Sequence, residues 1–414
     1  MIKRRTAVSP FELVLGVIIL YSIMPIVSQF FSDFLTTYAY MVLLLGAVVF
    51  TMTLRGTESL AESIFALLPF VLWMLLELLT KHQPIIDWGY GSMLMLAPIL
   101  FGILLMKESG PKVVRFLAVV VAIATLITIV TTIIGSIVYS DAARYLATAD
   151  SDSPLLRMYN YVNLGGYDFV YICVLLYPLV IFAYKQKRLH LILAIIASAL
   201  VLALTLNAGY TTALLLWLAT TAMFFLPPKL DKRGVLILLI LTILAIVLFF
   251  TSFSPAIKGL AKLIKNEDIS YRLNALSGGS EGIRASEDDR ISLYEMSLTS
   301  FIKSPLFGNA LRGRGASGGH SFILDFAAQY GLIGIILLIV MYRVIFVRFY
   351  KPFERVQGYG YILWMFLQTL ILSTVNTGMW INILAWFIPL SVTAILQKGE
   401  IKPHDSLVGR KFNA

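Results

Sequence analysis

Long apolar runs separated by short polar segments dominate this chain. Windows of about 20 predominantly apolar residues, the length that an α-helix needs to cross a bilayer, recur from residue 11 onward. The runs do not alternate apolar and polar positions at period two, as the strands of a membrane barrel do. The pattern therefore predicts an all-α integral membrane protein. Its twelve predicted spans cover residues 11–31, 36–54, 63–80, 90–106, 113–139, 167–184, 189–206, 210–226, 234–253, 326–346, 359–375 and 380–396.

Composition supports the same class. Of 414 residues, 59% are hydrophobic and only 14% are charged, whereas soluble globular proteins carry roughly 45–50% apolar and about 25% charged residues. The single cysteine, Cys173, lies within a predicted span, which excludes a disulfide framework and a cysteine metal site. The basic start "MIKRR" precedes an apolar run without a small-residue cleavage site, which favours a retained first span. We interpret residues 1–414 as one polytopic membrane domain.

The distribution of Lys and Arg predicts the topology. With the N-terminus in the cytoplasm, 21 of the 33 basic residues fall in inner segments, and the short outer loops hold only Lys81, Arg144 and Arg157. This asymmetry follows the positive-inside rule, so both termini are predicted to be cytoplasmic. The net charge of +10 is thus spread over short loops, and we expect no nucleic-acid partner.

Two predicted outer segments are too long to be simple turns. One covers residues 140–166, and the other covers residues 254–325 between spans nine and ten. In the second segment, apolar residues recur at helical spacing over about 287–302, and Ser286 with Asp289 resembles a capping box. We predict an amphipathic helix on the outer membrane face.

Candidate chemistry is concentrated at 305–326, "PLFGNALRGRGASGGHSFILDF". His320 follows two glycines, which allow close backbone approach. A neutral imidazole there can act as a general base, and the alternative is a helix-capping histidine that faces water. Arg312 and Arg314 have guanidinium groups that match phosphate oxygens, and the alternative for them is contact with lipid headgroups.

Two more arginines belong to the long loops. Arg290 lies in the first turn of the predicted amphipathic helix, where a cation is locally unfavourable, so it is either an anion ligand or the partner of a neighbouring acidic residue. Arg144 opens the other loop and has similar alternatives. The "DSD" at 150–152 superficially resembles a metal–sugar motif, but an Asp/Ser-rich loop is the simpler interpretation. We expect no metal and no cofactor.

The order of these features resembles the bacterial O-antigen polymerase and ligase superfamily, which includes the Wzy-type polysaccharide polymerases. The matching features are an arginine that opens a helix, a Pro-hydrophobic-x-Gly turn, a histidine followed by serine and a Gly-Leu-x-Gly turn. In this chain they are Arg290, 305–308, His320 with Ser321, and 331–334.

Two further stretches bear on the resemblance. The sequence "NLGGYDFVY" at 163–171 resembles the polymerase branch. In "LTLNAGYTTALL", Tyr210 stands where family members often carry an arginine, which puts a phosphate-binding role of that turn in doubt. We expect Tyr167, Asp168 and Tyr210 to contact the sugar or diphosphate, together with the arginines.

The resemblance implies a GT-C-like glycosyltransferase of the bacterial plasma (inner) membrane, active on the extracytoplasmic face. Its substrates would be undecaprenyl-diphosphate-linked oligosaccharides among the membrane lipids, and a chain-length regulator and a flippase would be its partners. His320 would be the catalytic base and Arg290 would stabilise the leaving diphosphate, in a metal-independent, inverting transfer.

Two alternatives stay open. A ligase would transfer the glycan to a different lipid or to a cell-wall glycan. A flippase or transporter for lipid-linked oligosaccharides belongs to another class, and such proteins often bury ionisable residues at the middle of the membrane. In this sequence Glu77, Asp168 and Asp325 lie near the ends of spans, which favours an enzyme.

Overall fold

The computed structural model of the chain describes 10–34, 58–81, 99, 102–103, 111–139, 142, 145–146, 153–227, 230, 232–248, 259, 284–309, 317–376, 378 and 380–397. These residues are helical or in turns, with no strand among them. The α-helices are α1 (Pro10–Ile23), α2 (Pro25–Phe34), α3 (Glu58–Lys81), α4 (Pro111–Val138), α5 (Pro154–Tyr161), α6 (Tyr167–Lys185), α7 (Leu191–Ala208), α8 (Thr211–Ala222), α9 (Lys232–Leu248), α10 (Arg284–Lys303), α11 (Phe322–Ile345), α12 (Tyr359–Val375) and α13 (Ile388–Leu396).

Four described helices are long and apolar enough to cross a membrane. They are α4, α6, α7 and the continuous helix Phe322–Phe353 that contains α11, and the bent pair of α1 and α2 makes a fifth if it counts as one span. Predicted spans 36–54 and nearly all of 90–106 lie outside the described residues, whereas each of the other ten predicted spans coincides with helical structure. The all-α membrane class is therefore supported, and the number of twelve spans and their orientation stay predictions.

The first predicted span is not one straight helix. α1 and α2 meet at Met24 with a bend of 105°. Pro25 accounts for the break, because proline has no N–H and disfavours helical backbone in the residue before it. The span predicted over 11–31 therefore consists of two helices that are separated by a break at Met24.

The central helix of the described fold is α6. Inside the protein, 72% of its apolar stretch is buried, against 33% for α4 and α7 and 39% for the helix that contains α11. It packs against α7, α8, α12 and α13. A buried polar bridge ties it to its neighbours, because Gln368 of α12 donates to the Val174 carbonyl at 2.8 Å and accepts from Thr220 of α8 at 3.1 Å. Such bridges satisfy the polar groups that helix packing encloses.

Two glycine-containing turns interlock where α11 breaks. Gly331 has φ +63°, and a Cβ there would stand 2.5 Å from the Leu306 carbonyl. Gly308 has φ +58°, and a Cβ there would meet the Gln329 backbone at 2.5 Å. The Pro305 carbonyl accepts from the backbone N–H that follows Gly331 at 2.8 Å. The two turns of the family resemblance, 305–308 and 331–334, are thus in direct backbone contact.

The helix predicted over 287–302 is present as α10, which packs against α11. It begins at Arg284, so Ser286 lies inside the helix and the predicted capping box is wrong. Ser297 is buried, while Leu298 and Ile302 are exposed. Two apolar side chains of α10 are therefore exposed, and contact of this helix with the membrane stays a prediction.

Lys185 makes hydrogen bonds at the opposite end of the bundle, where α6 ends. Its ammonium group donates to the carbonyls of Phe224 and Leu226, both at 2.7 Å. Gln186, the next residue, donates to the Gln357 carbonyl at 2.6 Å. These bonds join the ends of α6 and α8 to the turn before α12, on the side that the sequence assigns to the cytoplasm.

Candidate functional site

His320 lies on the short segment before α11, and its side chain is exposed. The Asp325 carboxylate fixes this segment, because it accepts the Gly319 N–H at 3.2 Å and the Ser321 N–H at 3.1 Å. Ser321 is the N-cap of α11, and its hydroxyl accepts the Leu324 N–H at 3.2 Å. The alternative that His320 itself caps the helix is wrong. The residues on either side of His320, Gly319 and Ser321, both have their backbone N–H groups hydrogen-bonded to Asp325.

α10 supplies a second anchor for the same segment. The Ser297 hydroxyl donates to Asp325 Oδ1 at 2.6 Å and accepts the Gly318 N–H at 2.8 Å. The Gly318 backbone lies so close to α10 that a Cβ would stand 2.1 Å from the Leu293 carbonyl oxygen. Of the two glycines predicted to allow close backbone approach, Gly318 makes one, whereas nothing lies within 4 Å of a Cβ at Gly319.

Asn376, which ends α12, connects the His320 segment to the start of α6. Its backbone carbonyl accepts the Phe322 N–H at 2.8 Å. Its side-chain Oδ1 accepts a hydrogen bond from the Tyr167 hydroxyl. His320 is two residues from Phe322, so their Cα atoms are at most about 7 Å apart. The candidate base and Tyr167 are therefore at the same end of the bundle.

Four aromatic side chains, Tyr167, Tyr171, Tyr210 and Trp380, surround this junction, and we call them the aromatic cluster. The Tyr167 ring lies 4.8 Å from that of Tyr171 and 4.9 Å from that of Tyr210, between centroids. Tyr171 and Tyr210 are stacked at 5.9 Å with 19° between their planes, and Trp380 is 5.9 Å from Tyr171. The cluster joins the start of α6, the N-cap of α8 and the turn after α12.

The "NLGG" sequence before α6 sets the position of Tyr167. Asn163 adopts a left-handed backbone with φ 58°, which asparagine tolerates better than most residues. Its carbonyl accepts from Thr131 at 2.7 Å, and its side-chain amide donates to Thr128 at 3.0 Å. The Gly165 N–H donates to Thr132 at 2.8 Å. A row of threonines on α4 thus holds the chain where α6 begins.

The structure brings part of the predicted site together. His320, Tyr167 and Tyr210 lie at one end of the bundle, and Asp168 is exposed in the first turn of α6 beside Tyr167. Arg290 is in α10, where the structure describes its backbone and not its side chain. The other three arginines of the predicted site lie outside the described residues: Arg144, Arg312 and Arg314. Over the described part of the chain, no three His, Cys, Asp or Glu side chains are grouped as a metal site requires.

Sequence reasoning missed the residues that hold the site. The sequence shows Asp325 only as a charge near the end of a span, and no motif singles out Ser297, Asn376 or Trp380. The "NTGMW" sequence at 376–380 combines an asparagine, a glycine and a tryptophan between two predicted spans, which is a usable signal. The bonds from Ser297 to Asp325 and from Asn376 to Tyr167 and Phe322 join residues far apart in sequence, so the spacing of residues could not reveal them.

No protein-family model matches the chain, and no curated protein is significantly similar to it. The resemblance to O-antigen polymerases and ligases therefore stays a prediction that rests on the sequence motifs. What the structure adds is that 305–308 contacts 331–334 and that the segment carrying His320, before α11, is fixed by Asp325.

Proposed function

We propose that this protein is a polysaccharide polymerase, which joins undecaprenyl-diphosphate-linked oligosaccharide repeat units at the outer face of a bacterial plasma membrane. The observation that carries the proposal is the exposed His320 on a backbone fixed by Asp325 and Asn376. A general base must be accessible to its substrate and held in a productive position. The exposure of His320 and its position on a fixed backbone segment support this role.

In the proposed reaction, an acceptor hydroxyl attacks the anomeric carbon of the donor sugar. The new glycosidic C–O bond forms as the bond to the diphosphate oxygen breaks, and the bonding electrons leave with the diphosphate. His320 takes the proton of the hydroxyl. Attack opposite the leaving group inverts the anomeric centre. Because diphosphate is already a good leaving group, the reaction needs no strong general acid.

We assign stabilisation of the leaving diphosphate to arginine side chains. Arg290 is the first candidate, supported by Arg144, Arg312 and Arg314, because guanidinium groups bind phosphate oxygens in a bidentate manner. Three helices, α6, α8 and α11, also begin at the end of the bundle where His320 lies. Helix N-termini carry positive partial charge and favour phosphate groups. The arginines would provide the charge that a divalent metal provides in other glycosyltransferases.

The test expresses variants of the protein in a strain that lacks the chromosomal gene, and His190 serves as the control histidine. His320→Ala and Arg290→Ala should each abolish polymer, whereas His190→Ala should leave it unchanged. His190 is exposed and precedes α7 at the opposite end of the bundle, about 28 Å away along α6 at 1.5 Å per residue. Glycan ladders on gels measure polymer, and immunoblots of membranes measure protein level. A normal ladder from His320→Ala at normal protein level would overturn the proposal.

The deletion strain separates the polymerase from the two alternatives. Single repeat units on the final anchor indicate a polymerase, whereas long chains that remain on undecaprenol indicate a ligase. Repeat units that accumulate in the cytoplasmic leaflet indicate a flippase. A chain-length regulator and a separate flippase are proposed partners only in the first case.

A further inference from the structure

Two buried N–H donors in the turn after α12 have no hydrogen-bond partner among the described residues. One is Nδ2 of Asn376, a side chain that is only 8% exposed and whose Oδ1 is already bonded to Tyr167. The other is the indole Nε1 of Trp380. Buried polar groups are nearly always paired, so two unpaired donors within five residues need an explanation.

The Trp380 indole is held in place by its surroundings. Trp380 has φ +53°, a left-handed conformation that is strained for a bulky residue and that is found preferentially at functional sites. The Gly378 backbone lies against the indole, where a Cβ would stand 2.8 Å from Nε1, and the Gly378 carbonyl accepts from Ser373 at 3.0 Å. The Trp380 carbonyl accepts the Leu384 N–H at 3.0 Å. The unpaired donor is therefore fixed in direction.

The same turn borders the aromatic cluster. Tyr171 is 3% exposed, whereas Tyr167, Tyr210 and Trp380 are only partly buried, so the cluster is partly accessible and the two N–H donors lie beneath its surface. A sugar ring presents C–H groups on one face and hydroxyl groups around its rim. Sites for small molecules commonly combine aromatic side chains with a few positioned polar groups. An aromatic cluster with two free N–H donors has this composition.

We infer that the aromatic cluster and Asn376 form a saccharide-binding subsite, in which a sugar ring stacks on the tyrosines while Asn376 Nδ2 and Trp380 Nε1 donate to an acceptor on the ring. Both free groups are donors, so the ligand must supply acceptors. A carbonyl-type oxygen, as in an acetamido or carboxylate substituent, is the strongest neutral or anionic acceptor that sugars carry. The subsite therefore selects sugars with such a substituent over plain hexoses.

The position of the subsite gives the bound sugar a role. Asn376 bonds to Phe322, two residues from His320, so a sugar held at the cluster lies beside the candidate base. That role rests on the proposed function, whereas binding itself does not. The subsite would hold one sugar of the repeat unit while His320 acts on the neighbouring hydroxyl.

The test measures binding of simple sugars to the purified full-length protein by saturation-transfer-difference NMR. The probes are N-acetylglucosamine, glucuronate and glucose. At least one of the first two should receive more saturation than glucose. The affinity for that probe should fall about three- to tenfold in Trp380→Phe, the ratio that corresponds to loss of one hydrogen bond. Asn376→Asp, which keeps the acceptor for Tyr167 and replaces the free donor, should lose at least as much.

A matched control is available in Trp386→Phe. Trp386 is 1% exposed and its indole Nε1 is also buried without a partner, but it is not part of the aromatic cluster. This variant should bind the probe as the unaltered protein does. Unchanged affinity in both Trp380→Phe and Asn376→Asp, or no preference over glucose, would overturn the inference. Polymer assays of His320→Ala are independent of this result, so failure of the subsite and failure of the proposed function are distinguishable.

Discussion

Asn376 accepts the backbone N–H of Phe322 at 2.8 Å, and through this bond the end of α12 is joined to the start of α11. The side chain of Asn376 also accepts from Tyr167, the first residue of α6. Three helices therefore meet at one residue, Asn376, and its partner Phe322 is two positions along the chain from His320. The segment that carries the candidate base is consequently connected to the aromatic cluster. A substitution at Asn376 should therefore affect both the His320 segment and the cluster.

The bond between Tyr167 and Asn376 should show energetic coupling. Tyr167→Phe removes the donor and leaves the buried Asn376 oxygen without it, which costs about 1–3 kcal/mol. Asn376→Leu removes the oxygen that accepts from the Tyr167 hydroxyl. A double-mutant cycle on thermal stability in detergent should give a coupling energy of about 0.5–3 kcal/mol. Additive effects of the two substitutions would contradict the bond.

Asp325→Asn should loosen the His320 segment. The amide offers one acceptor oxygen in place of two, so at least one of the Ser297, Gly319 and Ser321 donors loses its partner. We expect a loss of stability of about 1–3 kcal/mol and a weaker glycan ladder. Glu295→Gln is the control, because Glu295 is exposed on the same helix, α10, and should change stability by less than about 0.5 kcal/mol. Equal effects of the two substitutions would exclude an anchoring role for Asp325.

Replacing each of three glycines by alanine should separate the stability cost of backbone strain from that of steric clash. Gly308, Gly331 and Gly319 all have positive φ, so alanine costs each about 1–2 kcal/mol from conformation alone. At Gly308 and Gly331 the added Cβ would also meet backbone atoms at 2.5 Å, whereas at Gly319 nothing lies within 4 Å. Gly308→Ala and Gly331→Ala should therefore lower the melting temperature more than Gly319→Ala. Equal shifts would mean that 305–308 and 331–334 are not in contact.

Cysteine labelling tests the predicted orientation of the bundle. Cys173 is buried, so the unaltered protein should not react with a maleimide while it is folded. In a Cys173→Ala background, Ser317→Cys should be labelled by a membrane-impermeant maleimide applied to spheroplasts. Arg188→Cys, at the opposite end, should be labelled only after lysis. Both positions are exposed in the structure, so the two patterns differ only if the ends face different sides. The reverse pattern would invert the predicted topology.

The helices themselves could be read from the order of residues along the chain. Apolar runs of span length must be helical in lipid, because every backbone N–H and C=O then needs a partner within its own segment. For that reason, ten of the predicted spans coincide with helical structure. The sequence motifs also indicated the two turns that contain Gly308 and Gly331, whereas the break at Pro25 falls inside the predicted span 11–31.

Tertiary structure alone decided which side chains meet at the site. A uniformly apolar helix has no polar stripe that shows which face turns inward, so hydropathy left the rotation of α6, α11 and α12 open. Only packing placed Asp325 against Ser297 on α10 and Tyr167 against Asn376. The same packing enclosed two N–H donors, on Asn376 and Trp380, without giving them partners. Hydrogen bonds between residues far apart in sequence depend on this rotation. The sequence could therefore suggest His320 as a candidate base, but it could not show which residues hold the segment that carries it.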